Sequence, residues 1–178
     1  MSSTAAPPLK LTVEMVPSST WYNNMRKVVS QETWDTIRRS VYREYGYRCG
    51  ICGAKGRMNC HERWDYNDAT HVQTLLGFVA LCDLCHWVKH FGLAQISPDR
   101  VRIDDVVAHF MRVNKCDKAT FDRHLDEYTE VWQERSKHEW TVDLGKYVSL
   151  VDKPQQEPVP FAHEWSTISG MQHHPARP

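Results

Sequence analysis

Two matched cysteine pairs, Cys49-Gly-Ile-Cys52 and Cys82-Asp-Leu-Cys85, stand 29 residues apart in a chain of 178. A C-x-x-C turn brings two thiolates onto one ion at an angle a tetrahedron accepts. A second such turn completes the coordination, with Zn–S distances of about 2.3 Å. Gly53, directly after the first pair, suits the tight knuckle in which backbone N–H groups approach sulfur. The second pair opens a helix, placing its thiolates near the positive end of the helix dipole, which favours the deprotonated form. Four thiolates close the sphere, so the predicted zinc is structural and has no position for water or substrate. Cys60 and Cys116 have no partner at this spacing, and Cys116 reads as a buried apolar residue.

A second group lies between and just beyond the pairs: Cys60-His61-Glu62, then Asp65, Asn67, Asp68 and His71, then His86 and His90. His86 and His90 are four apart, share one helix face and can bind one ion. Closing the two knuckles around zinc should bring segment 60–62 against that helix. Imidazole and oxygen ligands there would suit Mg²⁺, Mn²⁺, Ni²⁺ or a second Zn²⁺. His61-Glu62 invites an H-E-x-x-H metalloprotease reading, but position 65 is Asp and the second His is absent, which excludes it. Trp64 and Tyr66 suit packing beneath the following loop better than stacking on bases. His71 reads as a surface residue, and His109, His124 and His138 as packed helical histidines.

The elements that must position these groups follow from periodicity. Ser30 is an N-cap for a helix to about Tyr45, with Trp34, Ile37, Val41 and Tyr45 as its buried stripe and Gly46 ending it. Leu75–Leu81 reads as a short buried strand running into the second cysteine pair, with a helix from His86 to Phe91 after it. Ser97-Pro98 suits a further helix start, with Ile103, Val106, Val107, Phe110 and Val113 as its apolar face. Asp117 caps another, with stripe Phe121, Leu125, Tyr128 and Trp132, and Trp140–Val148 suits a strand. The expected organisation is a flexible N-terminal arm (1–18), a helical segment (19–46), the zinc core (47–92), C-terminal helices with a possible strand (93–150) and a mobile Pro-rich tail (151–178). The predicted class is α+β.

Formal net charge is zero, which argues against strong non-specific nucleic-acid binding but says nothing of local fields. Residues 20–60 carry Arg26, Lys27, Arg38, Arg39, Arg43, Arg48, Lys55 and Arg57 against three acidic residues, so charge is polarised toward the first cysteine pair. No apolar run approaches the ~20 residues a membrane span needs. No basic region followed by an apolar stretch marks a secretory signal, so a cytoplasmic location is expected. In that compartment close cysteine pairs read as metal ligands rather than disulfides.

The order C-x-x-C, a His at the end of a short strand, an Asn in the loop, then L-C-x-x-C-H-x-x-K-H opening a helix resembles the HNH endonucleases of the ββα-metal, treble-clef class. The likeness covers about residues 45–92. The stretches C-H-E-R-W-D-Y-N-D and G-F-V-A-L-C-D-L-C-H-W-V-K-H-F-G are similar to small bacterial and phage HNH-like proteins. The resemblance implies an HNH-like core with a structural four-cysteine zinc, flanked by helices, that hydrolyses DNA phosphodiesters with a divalent cation. It implies His86 and His90 as ligands of the catalytic cation and Asn67, or His71 in its place, as the orienting residue. Two registers are open at the strand end. In the preferred one Cys60 takes the ligand position and His61 is the general base, since a neutral imidazole suits proton abstraction near neutrality. In the other His61 is a ligand and Glu62 accepts the proton. Arg38, Arg39, Arg43, Arg57 and Lys89 would hold phosphates. The rival expectation is a non-catalytic treble-clef module that binds DNA or a protein partner. A weaker third is a phage-encoded inhibitor that reuses the fold against a host protein.

Overall fold

The computed structural model describes residues 7–21, 23–97 and 100–152 and has a mixed α+β architecture. Strands β1 (Asn59–Asn67) and β2 (Val72–Leu81) form an antiparallel hairpin, paired from Asn59↔Leu81 to Asn67↔Val72. Asn67 fixes the turn: its Oδ1 accepts the N–H groups of Ala69 and Thr70, both at 3.1 Å. The third strand, β3 (Thr141–Asp143), pairs in parallel with the start of β2, so β1 is left as a sheet edge. Register slips between Arg63 and Trp64, opposite Gly77 at φ +151°, a bulge conformation that side-chain-bearing residues rarely adopt.

A one-turn helix, α1 (Met25–Val28), precedes α2 (Gln31–Glu44), which starts on Ser30 as predicted; the Ser30 hydroxyl accepts the Thr33 N–H at 3.2 Å. Trp34 and Val41 of the expected stripe are buried in separate apolar clusters; Ile37 packs against both, and Tyr45 against the one that holds Val41. Past β2 come two short helices, α3 (Asp83–Lys89) and α4 (Phe91–Gln95). The next, α5 (Ile103–Asn114), begins after the expected Ser97-Pro98 start, and Pro98 is outside the described residues. Asp117 caps α6 (Lys118–Arg135), accepting the Thr120 N–H at 2.9 Å. Phe121 lies edge-on to Phe91 and Phe110 at 5.2 and 5.0 Å, each contact contributing about 0.5–1.5 kcal/mol beyond its buried area. The strand expected over Trp140–Val148 is confined to β3. A 3-10 turn, Gly145–Leu150, follows and packs Tyr147 on Phe78.

The arm is the main departure from expectation. From residue 7 it is described, and Leu11 and Val13 are fully buried. Leu9, Leu11, Val13 and Met15 alternate, as an extended segment with one buried face requires. Its polar backbone finds partners: Lys10 and Leu11 donate to Asn114 Oδ1 at 2.9 and 3.0 Å, and Val13 donates to His124 Nε2 at 2.9 Å. Full burial of Leu11 and Val13 stabilises the docked arm by about 1.5–3 kcal/mol each. Of the predicted tail, only Val151 and Asp152 are among the described residues. No described helix is long and apolar enough to cross a membrane.

Two candidate metal centres on one short helix

The first knuckle is held by Cys49 N–H to Ala54 O and Gly53 N–H to Cys49 O, both 2.9 Å, with Gly53 at φ +75°. Gly50 passes so close to Tyr45 and Val79 that a Cβ there would lie 2.5 Å and 2.8 Å from their side chains. Its N–H donates to Ala80 O at 2.8 Å, tying the knuckle to β2. β2 delivers Cys82 as the residue before α3, and Cys85 follows in its first turn. The four sulfurs of Cys49, Cys52, Cys82 and Cys85 all lie within 4.8 Å of one another and could hold one metal ion. Cys52 and Cys82 are 3.6 Å apart, close to the edge of a tetrahedron with ~2.3 Å metal–sulfur bonds.

Electrostatics fit the same reading. Hydrogen bonds from Cys82 and Cys85 hold Cys49 well below the thiol range. Its negative charge and hydrogen-bond demand push Cys82 up to about 11 and Cys85 far up. Four sulfurs packed this closely cannot all ionise without a counter-charge. A divalent cation among them reverses that penalty. A fifth residue belongs here that the sequence reads only as a packed helical histidine: His109 of α5 places Nε2 3.1 Å from Cys85 Sγ, and its Nδ1 meets Arg112 at 2.6 Å. The signal was its position inside an apolar helix stripe, where a ring nitrogen needs a partner.

One residue past Cys85, the same helix begins the second group. His61 from β1 and His86 and His90 from α3 and its C-cap bring three ring nitrogens within 4.8 Å of one another. Ring centroids are 5.6, 4.9 and 4.5 Å apart, all edge to face. Burial, with His61 adding charge repulsion, lowers His86 to about 4 and His90 well below the usual histidine value. Both rings are therefore neutral at pH 7 and offer lone pairs, the donor chemistry a borderline divalent cation prefers.

The structure sorts the other predicted residues. Cys60 does not join the imidazoles. Alternation along β1 turns it away from His61 toward α2, where burial and then the Glu62 charge push its thiol up to about 12. Glu62 accepts the Met25 N–H at 2.7 Å, and burial raises its carboxyl to about 7. Asn67 serves the hairpin turn, six residues along an extended strand from His61 and so about 20 Å away. His71 stacks on His138 at 4.1 Å beside that turn, not at the cluster. Tyr66 lies edge-on to Trp140 beneath Arg135, a packing role.

Lys89 is 8% exposed and bonded to Thr12 Oγ1 and the Glu14 carboxylate, so it is withdrawn from any phosphate. Arg38 and Arg57 line a cleft of about 920 Å³ that also reaches His61, His86, His90 and Glu62, with Arg26 and Lys27 on its wall. Arg38 is held by Asp35 at 2.7 Å. Arg39 also contacts Asp35, through its backbone carbonyl at 3.1 Å, and neither it nor Arg43 lines the cleft. Because β1 is an edge strand, side chains from both its faces border this opening.

The arm supplies the remaining group. Glu14 accepts a hydrogen bond from His61 Nε2 at 2.9 Å, and its N–H donates to Lys89 O at 3.0 Å. Burial opposes its ionisation, but the bond from His61 and the charge of Lys89 outweigh that and hold its carboxyl at about 2. No family model matches this chain, and neither a curated protein nor a solved structure matches it.

Proposed function

We propose that this chain is a zinc-stabilised, HNH-like protein that hydrolyses nucleic-acid phosphodiesters at a second cation held by His61, His86 and His90. One observation carries the reading. Three imidazoles from a strand and a neighbouring helix converge within 4.8 Å beside a large cleft with basic residues on its wall. The four-cysteine cluster suits a closed structural zinc, which keeps α3 docked on the first knuckle and so holds His86 and His90 opposite His61.

A cation on these imidazoles would supply Lewis acidity toward a phosphoryl oxygen. The chain's own residues supply the rest. The grouping of His61 with His86 and His90 supports the second of the two registers read in the sequence: His61 belongs with the ligand set, and Glu62, which borders the same cleft from the opposite face of β1, accepts the proton of the attacking water. Met25 and Trp64 orient that carboxylate by donating to it, and its two oxygens have lone-pair capacity to spare. Arg57 and Arg38, with Arg26 and Lys27, receive the phosphates on either side of the scissile bond.

The test is plasmid nicking by purified protein with Mg²⁺, Mn²⁺ or Ni²⁺. Glu62→Gln should lower kcat by about 10²–10⁴-fold, the usual worth of a general base. Undiminished cutting by that variant, with contaminating nuclease excluded, would remove the assigned role. A second reading has one observation behind it: Glu14 and Lys89 fill one side of the imidazole cluster. On that reading the cleft binds DNA or a protein without chemistry, and retention of supercoiled plasmid with unaltered topology under every cation would favour it.

A further inference from the structure

Resting on the cation reading above, we infer that Glu14, carried in by the N-terminal arm, is a positioning residue of the second centre, the outer carboxylate of a carboxylate–histidine–cation arrangement. The contact is direct: a carboxylate can only accept, so at 2.9 Å it is His61 Nε2 that carries the proton. A neutral ring protonated at Nε2 keeps its lone pair on Nδ1, so Glu14 selects which nitrogen of His61 remains free for a metal. Outer carboxylates of this kind fix tautomer and ring orientation and raise the basicity of the ligand.

The surrounding structure is built to hold that carboxylate still. Its other oxygen is bonded to the Lys89 ammonium, which is itself fixed by Thr12 Oγ1 at 3.0 Å. The Glu14 N–H is spent on Lys89 O, so main chain and side chain are both anchored to α3. Val13, next to it, is fully buried and tied to His124. Glu14 is not one of the residues whose ligand atoms all lie within 4.8 Å of one another, although it touches His61. That separates its role from the three ligands: it acts on the cation through the imidazole.

The experiment uses full-length protein carrying one equivalent of Zn²⁺ in the four-cysteine centre, with ¹⁵N-labelled histidine. Long-range ¹H–¹⁵N correlation should place the His61 proton on Nε2, and Glu14→Ala should shift the ring toward the other tautomer. Further Zn²⁺ should then perturb His61 Nδ1, and Glu14→Ala should weaken that uptake by about 10–100-fold. Unchanged chemical shifts around the cysteine knuckles would verify that the variant is folded. A wild-type ring that is protonated on Nδ1, or that binds zinc through Nε2, overturns the inference without recourse to any variant. So does a Glu14→Ala affinity equal to wild type, and in each of these cases the three-histidine cation site stands. Wild-type protein that shows the Nε2–H tautomer yet takes up no second zinc overturns the cation reading itself, and this inference with it.

Discussion

The two centres on α3 are built in opposite ways. The cysteine centre is closed by its own ligands: Cys49 and Cys85 are buried, Cys52 and Cys82 half-buried, each pair is set by a tight local turn, and His109 covers one sulfur from behind. The histidine centre is assembled from a strand edge, a helix end and an arm, and it borders a cleft of about 920 Å³. The contrast teaches where stability and chemistry are separated. A closed thiolate centre holds elements together, whereas a centre beside a cavity leaves room for something that the chain does not supply.

The sharpest way to break this contrast is Cys85→Ser. If the closed centre governs folding, the variant should lose on the order of the whole stability of a domain, about 5–15 kcal/mol. Far-UV circular dichroism and a thermal melt would read that loss, and a melt that matches wild type would erase the distinction. Next in size is His90→Ala. If the chain hydrolyses phosphodiesters as proposed, cleavage should fall by about 10³-fold, several kcal/mol of transition-state stabilisation, while a zinc held by the four cysteines should stay in place. Metal analysis beside a nicking assay separates the two quantities. Unfolding of this variant would mean that the histidine centre is structural after all.

A smaller effect is expected from His109→Ala, which removes the nitrogen facing the Cys85 sulfur. Zinc affinity, followed by transfer to a chromophoric chelator, should weaken by about 10–100-fold with little change in cleavage. The smallest concerns the Asp68–Arg135 pair, remote from both centres, with N–O contacts of 2.7 and 3.0 Å. Arg135 lowers the Asp68 carboxyl below its ordinary value of 3.8. The contribution is therefore present above that value and lost as pH falls through the lowered one. Asp68 is largely exposed, so solvent screening limits the pair to about 0.5 kcal/mol. Asp68→Asn should leave stability nearly unchanged at pH 7 and flatten its acid limb. A large loss at pH 7 would contradict the screening argument.

How much was legible depended on how far apart the cooperating residues stand. Cys49 with Cys52, and Cys82 with Cys85, are spaced by single turns, so their pairing could be read from spacing. The Ser30 and Asp117 caps are likewise local, and both hold. The register at the strand end was not readable, because which of Cys60, His61 and Glu62 meets the helical histidines depends on the face each presents once α2 and α3 flank β1. The arm was hidden for another reason. Prolines, serines and threonines around it suggested a solvated chain, and they outweighed the alternation of Leu9, Leu11, Val13 and Met15. With the arm taken as loose, Glu14 had no place in the site, and Lys89 was given to phosphate when its partner lies 75 residues earlier.

That arm also sets a timetable. It emerges from the ribosome before the elements that seat it, and the residue that receives Val13 lies 111 positions later. At 5–20 residues per second, about 5–20 s of synthesis separate the two. A nascent chain that has already made both cysteine pairs and all three cleft histidines would still lack its seated carboxylate. On the proposed reading the second centre therefore reaches its finished state only once α6 has been made, and a truncated product ending before α6 would carry it incomplete.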